Sequence, residues 1–362
     1  MVRRRGFLLG GAAALALPAL ARAGAIETAD VLGLPVSLAA PPKRIVLLDA
    51  TDYLSMTALL PDPATRIVGW ASRERLDLGR AATLLPQGIP EVGKLSADTI
   101  SVESVLALQP DLVVASSYML PPGGTPLETQ LRAQGIALAW TRGHDDALPP
   151  AQGLARTMAF WGAVLQTPER AAALADLGAA EIARVTGCTR ALPRRPRCYM
   201  EIMSTLDDCC WAAGRAFWGP LFDLAGGALM AGSDGWGAQL SSEALLATDP
   251  EIYIATGGSI APGLQPGIAP GLDPLAAREG LRAMTGRLAL QGSTANRTGR
   301  VHGIWSGLAL SPVLLPVLVD CLAQWLHPES CADLDPARTL ARINAFFAQP
   351  IPGPLWASLR DG

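Results

Sequence analysis

Arginine and tryptophan are the side chains in this sequence best suited to recognition chemistry. Nine tryptophans stand against four tyrosines, and every lysine-or-arginine cation except Lys43 and Lys94 is an arginine. A guanidinium presents forked donors that fit carboxylate or catecholate oxygens, and an indole offers a flat apolar wall for a bulky chelate. In the first half the candidates are Asp49 to Tyr53, Trp70 with Arg73 and Arg75, Lys94, Ser116 to Met119, and Trp140 with Arg142. In the second half they are Trp211, Arg215, Phe217, Trp218, Trp236, Thr256 to Ser259, and Trp305. Any one aromatic here is as readily a packing residue, so the set carries the argument. Arg73, Trp211, Arg215, Trp218 and Trp305 are the leading ligand contacts, with Tyr118 next.

Catalytic patterns are missing. The sequence holds no Gly-x-Ser-x-Gly elbow, no Gly-x-x-x-x-Gly-Lys phosphate loop and no convincing nucleophile–histidine pair. The Gly/Pro-rich segment from Gly257 to Pro274 reads as a loop, not a nucleotide cradle. Three histidines, His144, His302 and His327, lie far apart, so no metal site and no cofactor is expected. A twin-arginine leader often accompanies redox enzymes, which keeps an exported oxidoreductase as the enzymatic alternative.

That leader is Arg4-Arg5-Gly6-Phe7-Leu8, followed by an apolar run from Leu9 to Leu20 and the small-residue pattern Ala21-Arg22-Ala23. The run is shorter than the ~20 residues that span a bilayer, and Pro18 breaks it. Export to the periplasm as a soluble monomer is the expectation. Half of the residues are hydrophobic, 17% are charged and the net charge is −3, which gives no reason to expect nucleic acid. Six cysteines in an oxidising compartment point to disulfides. The preferred pairs are Cys321 with Cys331 and Cys188 with Cys198, each closing a short loop. Adjacent Cys209 and Cys210 are then left as thiols, a soft-metal site or bonds elsewhere.

The elements that must position these residues are visible in an internal repeat. Ile100–Ser117 aligns without a gap on Leu240–Gly257, with identities at Ser101/Ser241, Glu103/Glu243, Leu106/Leu246, Ala107/Ala247, Pro110/Pro250 and Ala115/Ala255. Each copy reads as a serine N-cap, a carboxylate in the first helical turn, an apolar face and a terminating proline. A continuous apolar run follows, Leu112–Ala115 or Ile252–Ala255, as in a parallel strand covered on both faces. Further strands are expected at Arg44–Leu48, Arg66–Gly69, Ile136–Trp140 and Arg197–Ile202. Strands alternating with helices make two Rossmann-like three-layer α/β lobes. Between them, Leu154, Met158, Trp161 and Leu165 recur at helical spacing, so a long spine helix joins the lobes, with Pro168 kinking it or starting a second helix. The expected division is a leader over 1–23, an N-terminal lobe over 24–149, the spine over 150–190, a C-terminal lobe over 191–345 and a tail over 346–362. Ligands of open α/β sheets bind beyond the carboxyl ends of the strands, here in the crevice between the lobes.

Taken in order, several pieces resemble the helical-backbone solute-binding proteins for ferric siderophores, cobalamin and haem. They are Pro42-Lys-Arg-Ile-Val46, Val92-Gly93, Ala213-Gly-Arg-Ala-Phe-Trp218 with Leu224-Ala-Gly-Gly227, both repeat copies, and Gly299-Arg-Val-His302. The resemblance covers nearly the whole chain after the leader. It implies a binding component of an ABC importer that carries a metal chelate, a ferric siderophore first and cobalamin or haem second. It also implies that Glu103 and Glu243 dock onto arginines of the inner-membrane permease.

Overall fold

A computed structural model describes residues 24–142, 148–204, 210–258, 267–353 and 355–360; the segment expected as a leader (1–23), His144, Cys209 and Ser259 lie outside the described residues. Near the start, β1 (Ile26–Ala29) and β2 (Pro35–Leu38) form an antiparallel hairpin. The N-terminal lobe is a five-stranded parallel sheet built from β3 (Ile45–Leu47), β4 (Ile67–Ala71), β5 (Glu91–Gly93), β6 (Leu112–Ser116) and β7 (Ala137–Arg142), in the order β5-β4-β3-β6-β7. Helices α1 (Asp52–Leu59), α2 (Val102–Ala107) and α3 (Pro126–Ala133) connect these strands. Strand β6, between β3 and β7, is buried at every residue, which is why it reads as an unbroken apolar run.

The segment expected as the spine is two helices, α4 (Pro150–Leu165) and α5 (Pro168–Thr189). Gln166 takes a left-handed conformation (φ 61°), and Pro168 opens the second helix. The pair folds back antiparallel. A Cβ at Gly162 would lie 2.5 Å from that of Ala171, so glycine is needed there for the close approach, and Gly178 leaves room for Leu154, whose Cδ2 would lie 2.2 Å from a Cβ. The 22-residue α5 spans about 33 Å. At its start Arg170 Nε donates to the Ala58 carbonyl of the N-terminal lobe (2.9 Å), and at its end Thr189 Oγ1 donates to Leu224 of the C-terminal lobe (2.9 Å).

The second lobe follows as β8 (Arg197–Glu201), β9 (Trp211–Ala213), α6 (Arg215–Leu224), β10 (Ala228–Leu229), β11 (Gly237–Gln239), α7 (Ser242–Thr248) and β12 (Ile252–Gly257). Next come α8 (Pro274–Met284), α9 (Leu288–Gln291), α10 (Thr294–Arg297), β13 (Val301–Trp305), α11 (Gly307–Leu310), α12 (Leu315–Leu326), α13 (Pro336–Asn344) and β14 (Trp356–Ser358). The sheet order is β11-β9-β8-β12-β13-β14, with β10 beside β8. Thus the segment expected as a tail adds an antiparallel edge strand to this sheet.

The expected disulfide pairs do not form. Cys188, at the end of α5, bonds Cys331 beyond α12, which staples the spine to the C-terminal lobe. Cys198 is a buried thiol inside β8, and Cys321 a buried thiol inside α12, so each is held by its own element away from the partner that short spacing suggested. Cys210 is also disulfide-bonded.

Candidate interlobe ligand site

The carboxyl ends of the N-terminal strands gather a cationic and aromatic cluster. After β4 the chain makes a tight turn, Arg73–Leu76, bounded by two left-handed residues, Ser72 (φ 56°) and Asp77 (φ 36°). Arg73 lies over the Trp70 ring at 5.9 Å, and Arg75 lies over the Tyr118 ring at 5.0 Å. Arg75 Nη1 is 3.0 Å from Asp49 Oδ2, and Asp49 is fully buried just past the end of β3. The same carboxylate accepts from Thr51 N (3.1 Å), Thr51 Oγ1 (2.6 Å) and Ser116 Oγ (2.9 Å). A buried carboxylate requires such partners, and they in turn hold Arg75 in one place. Tyr118 is 45% exposed, so the Arg75–Tyr118 stack borders solvent.

A second buried carboxylate, Glu201, ends β8. It accepts from Arg287 Nη1 (2.7 Å) and from the Tyr253 hydroxyl, while Arg287 Nη2 donates to the Ser204 carbonyl (2.9 Å). Tyr199 and Tyr253 stack at 5.6 Å. Burial, and then the Glu201 charge, push both phenols well above their ordinary value, so they stay protonated. Glu201 had a sequence signal, a lone charge closing an apolar strand. Arg287 had none, because its partner lies far away in the chain.

The predicted contacts fall into distinct places. Arg73 and Tyr118 belong to the N-terminal cluster, where Arg75 and Asp49, less prominent in the sequence, prove central. Half-buried Trp211 opens β9, opposite Gln239 of β11. Exposed Arg215 starts α6, with Nε 3.9 Å from Asp234 Oδ1. Trp218, one turn on, is buried edge-on against Phe217, and its Nε1 has no hydrogen-bond partner among the described residues. The start of α6 is wrapped by the 233–236 loop: Gly214 N donates to Trp236 O (2.7 Å) and Arg215 N to Ser233 O (2.9 Å). Trp305, at the end of β13, is fully buried, and its Nε1 donates across the lobes to the Asp77 carbonyl (2.9 Å).

Glu103 and Glu243 sit alike. Both are exposed in the first turn of their helices, after Ser101 and Ser241, whose hydroxyls accept from Ser104 N (3.2 Å) and Ala244 N (3.1 Å). The hydrogen bonds from its own backbone and from Ser241 hold the Glu243 carboxyl below its usual value. The two described histidines, His302 and His327, are otherwise engaged. His302 stacks on Trp325 (4.4 Å) with Nδ1 3.0 Å from Ser358 Oγ, and His327 Nε2 lies 3.0 Å from the Gly226 carbonyl. Among the described residues no group of histidine, cysteine and carboxylate side chains could hold a metal ion, and no helix is long and apolar enough to cross a membrane.

Known structures share this architecture. The TroA-like periplasmic binding protein FepB from Veillonella parvula superposes with a TM-score of 0.78 at 22% identity, covering 92% of this chain and 99% of its own. The molybdate-bound periplasmic binding protein MolA from Haemophilus influenzae gives 0.69 at 17% identity over 91% of this chain and 99% of its own. A periplasmic heme binding protein from Pseudomonas aeruginosa gives 0.57 at 22% identity over 88% and 98%. At these identities the likeness establishes the two-lobed fold. No curated protein matches the sequence. A family model described as periplasmic binding protein matches residues 65–302, which is more than half of the chain. The chain belongs to the periplasmic binding protein family, a family of solute binders and not of enzymes.

Proposed function

We propose that this protein is the exported binding component of an ABC importer, capturing an anionic metal chelate, a ferric siderophore, in the interlobe cleft. The observation that carries the reading is the arginine turn. Two guanidinium groups stand at the carboxyl ends of the N-terminal strands, each laid over an aromatic ring. Cations backed by flat apolar surface suit a ligand that is both charged and broad. From the opposite lobe, Trp211 and Arg215 supply the same pair of chemistries. One structural neighbour, from an Fe3+-hydroxamate transport system of Saccharomonospora viridis, supports the siderophore reading, while others bind heme or molybdate. Glu103 and Glu243 dock the loaded protein, a monomer exported through the twin-arginine route, onto the inner-membrane permease.

Tryptophan-fluorescence quenching against ferric hydroxamates, ferric catecholates, cobalamin and haem tests the ligand class. Saturable quenching by a ferric siderophore supports the proposal, and quenching by cobalamin or haem alone would replace it.

A further inference from the structure

We propose that Trp305 is a positioning residue: from the C-terminal lobe it fixes the turn of the N-terminal lobe that places Arg73 and Arg75 against the ligand. The role in binding rests on the cleft reading above, whereas the anchoring itself does not.

Non-glycine residues hold left-handed backbone only where their surroundings impose it, and this turn has such a residue at each end. At its start, Ser72 Oγ donates to the Lys94 carbonyl within the same lobe (2.8 Å). At its finish, Asp77 is met by the other lobe, through Trp305 Nε1 on its carbonyl at 2.9 Å. Two further contacts reinforce that end. Gly258 lies close against the Asp77 carboxylate, where a Cβ would stand 2.4 Å from Oδ2. Gly79 (φ 53°) fits against the C-terminal lobe so closely that a Cβ would lie 2.7 Å from Ala269 Cβ and 2.9 Å from the Pro270 carbonyl, while Arg80 N donates to that carbonyl (3.2 Å).

Trp305 is itself well fixed. It is fully buried, its backbone N–H donates to Leu355 O (2.8 Å), and a Cβ at Gly307 would lie 2.2 Å from its ring. The turn is therefore strung between the lobes. Through Asp77 the indole ties the turn that carries Arg73 and Arg75 to the C-terminal lobe, and it acts beside the Asp49 bond that holds Arg75 from within its own lobe.

The test is Trp305→Phe in the full chain, which keeps an aromatic ring and removes the N–H donor. In ligand-free protein, hydrogen–deuterium exchange over residues 73–80 should accelerate about tenfold while the sheet strands exchange as before. Unchanged exchange over this segment in folded Trp305→Phe would overturn the proposal. Exchange of the Trp305 indole N–H in the parent protein is the second measurement: slow exchange supports the bond to the Asp77 carbonyl, and exchange at the rate of an exposed indole overturns the anchoring even if Trp305→Phe does not fold. Titration with a ferric trihydroxamate and with hemin then separates positioning from direct contact. Trp305→Phe should weaken binding in the parent protein and have no further effect in the Arg73→Gln, Arg75→Gln double variant, whereas additive losses would make Trp305 a ligand contact and overturn the positioning role. If neither chelate binds the parent protein, the cleft reading fails, and the exchange result alone judges the anchoring.

Discussion

Asp111 and Glu251 make the same bond in the two lobes. Asp111 Oδ2 accepts from Arg44 N at 3.0 Å, and Glu251 Oε2 accepts from Arg197 N at 2.9 Å, each joining the start of its lobe's central strand to the strand beside it. The preceding turns match as well, with Gln109 (φ 46°) and Asp249 (φ 42°) both left-handed. Duplication thus extends beyond the repeated helix and strand to the joints of the sheet. The carboxyl ends of the strands differ between the lobes, with the arginine turn after β4 in one and Glu201 with Arg287 in the other.

These joints are structural, so removing either should act on stability alone. Asp111→Ala and Glu251→Ala should each cost about 1 kcal/mol in denaturant unfolding, the usual value of a hydrogen bond whose donor water can still reach. Chelate affinity should not change in either variant.

Glu103 and Glu243 are exposed in the first turns of α2 and α7, and the proposed docking role makes them separable from ligand binding. Reversing both to lysine should abolish uptake in cells while ligand binding by the purified protein stays intact. Uptake at the parent rate would remove their docking role.

The bond between Cys188 and Cys331 closes a loop across 143 residues of sequence. Reduction, or Cys188→Ser, should lower unfolding stability by about 2–5 kcal/mol, the range for native disulfides. Cys198 should resist alkylation in the folded protein, since burial pushes its thiol up to about 12.

Two buried groups should respond to pH with opposite sign. Burial, with the Glu181 charge adding to it, raises Asp320 from 3.8 to about 6 despite its bond from Thr339. Folding therefore favours the protonated acid. Its contribution is full below 3.8 and lost as pH rises through about 6. Asp320→Asn should be more stable than the parent at pH 8, by roughly 1–3 kcal/mol, with the difference gone near pH 4. Burial lowers His302 from 6.5 to about 3, so its contribution is present above 6.5 and declines as pH falls toward 3. His302→Gln should flatten the loss of stability on that acid side.

The sequence made local features legible and long-range ones obscure. Continuous apolar runs marked β6 and β12 because strands covered on both faces have no polar side to alternate with. Ser101 and Ser241 marked their helix starts because a cap acts within a few residues. The Cys188–Cys331 pairing was hidden, since proximity in sequence misled where packing of α5 against α12 decides. Helical spacing showed that residues 150–190 were helical, but not that α4 folds back on α5, which depends on Gly162 meeting Ala171. Likewise Trp305 announced an aromatic near the cleft, while its bond to Asp77 required both lobes to be in place.

The most direct measurement is a fluorescence titration of Arg73→Gln and Arg75→Gln beside the parent protein against a panel of ferric siderophores. Glutamine at position 75 keeps a donor for Asp49 and removes the charge, so folding can be checked separately by thermal melting. Loss of a charge-assisted contact is worth about 1.5–3 kcal/mol, or roughly 10- to 100-fold in affinity. The expected result is saturable binding of a ferric siderophore by the parent protein, weakened by that factor in each folded variant. Equal affinity in parent and variants, or no binding of any ferric siderophore, would contradict an arginine-lined cleft for an anionic chelate.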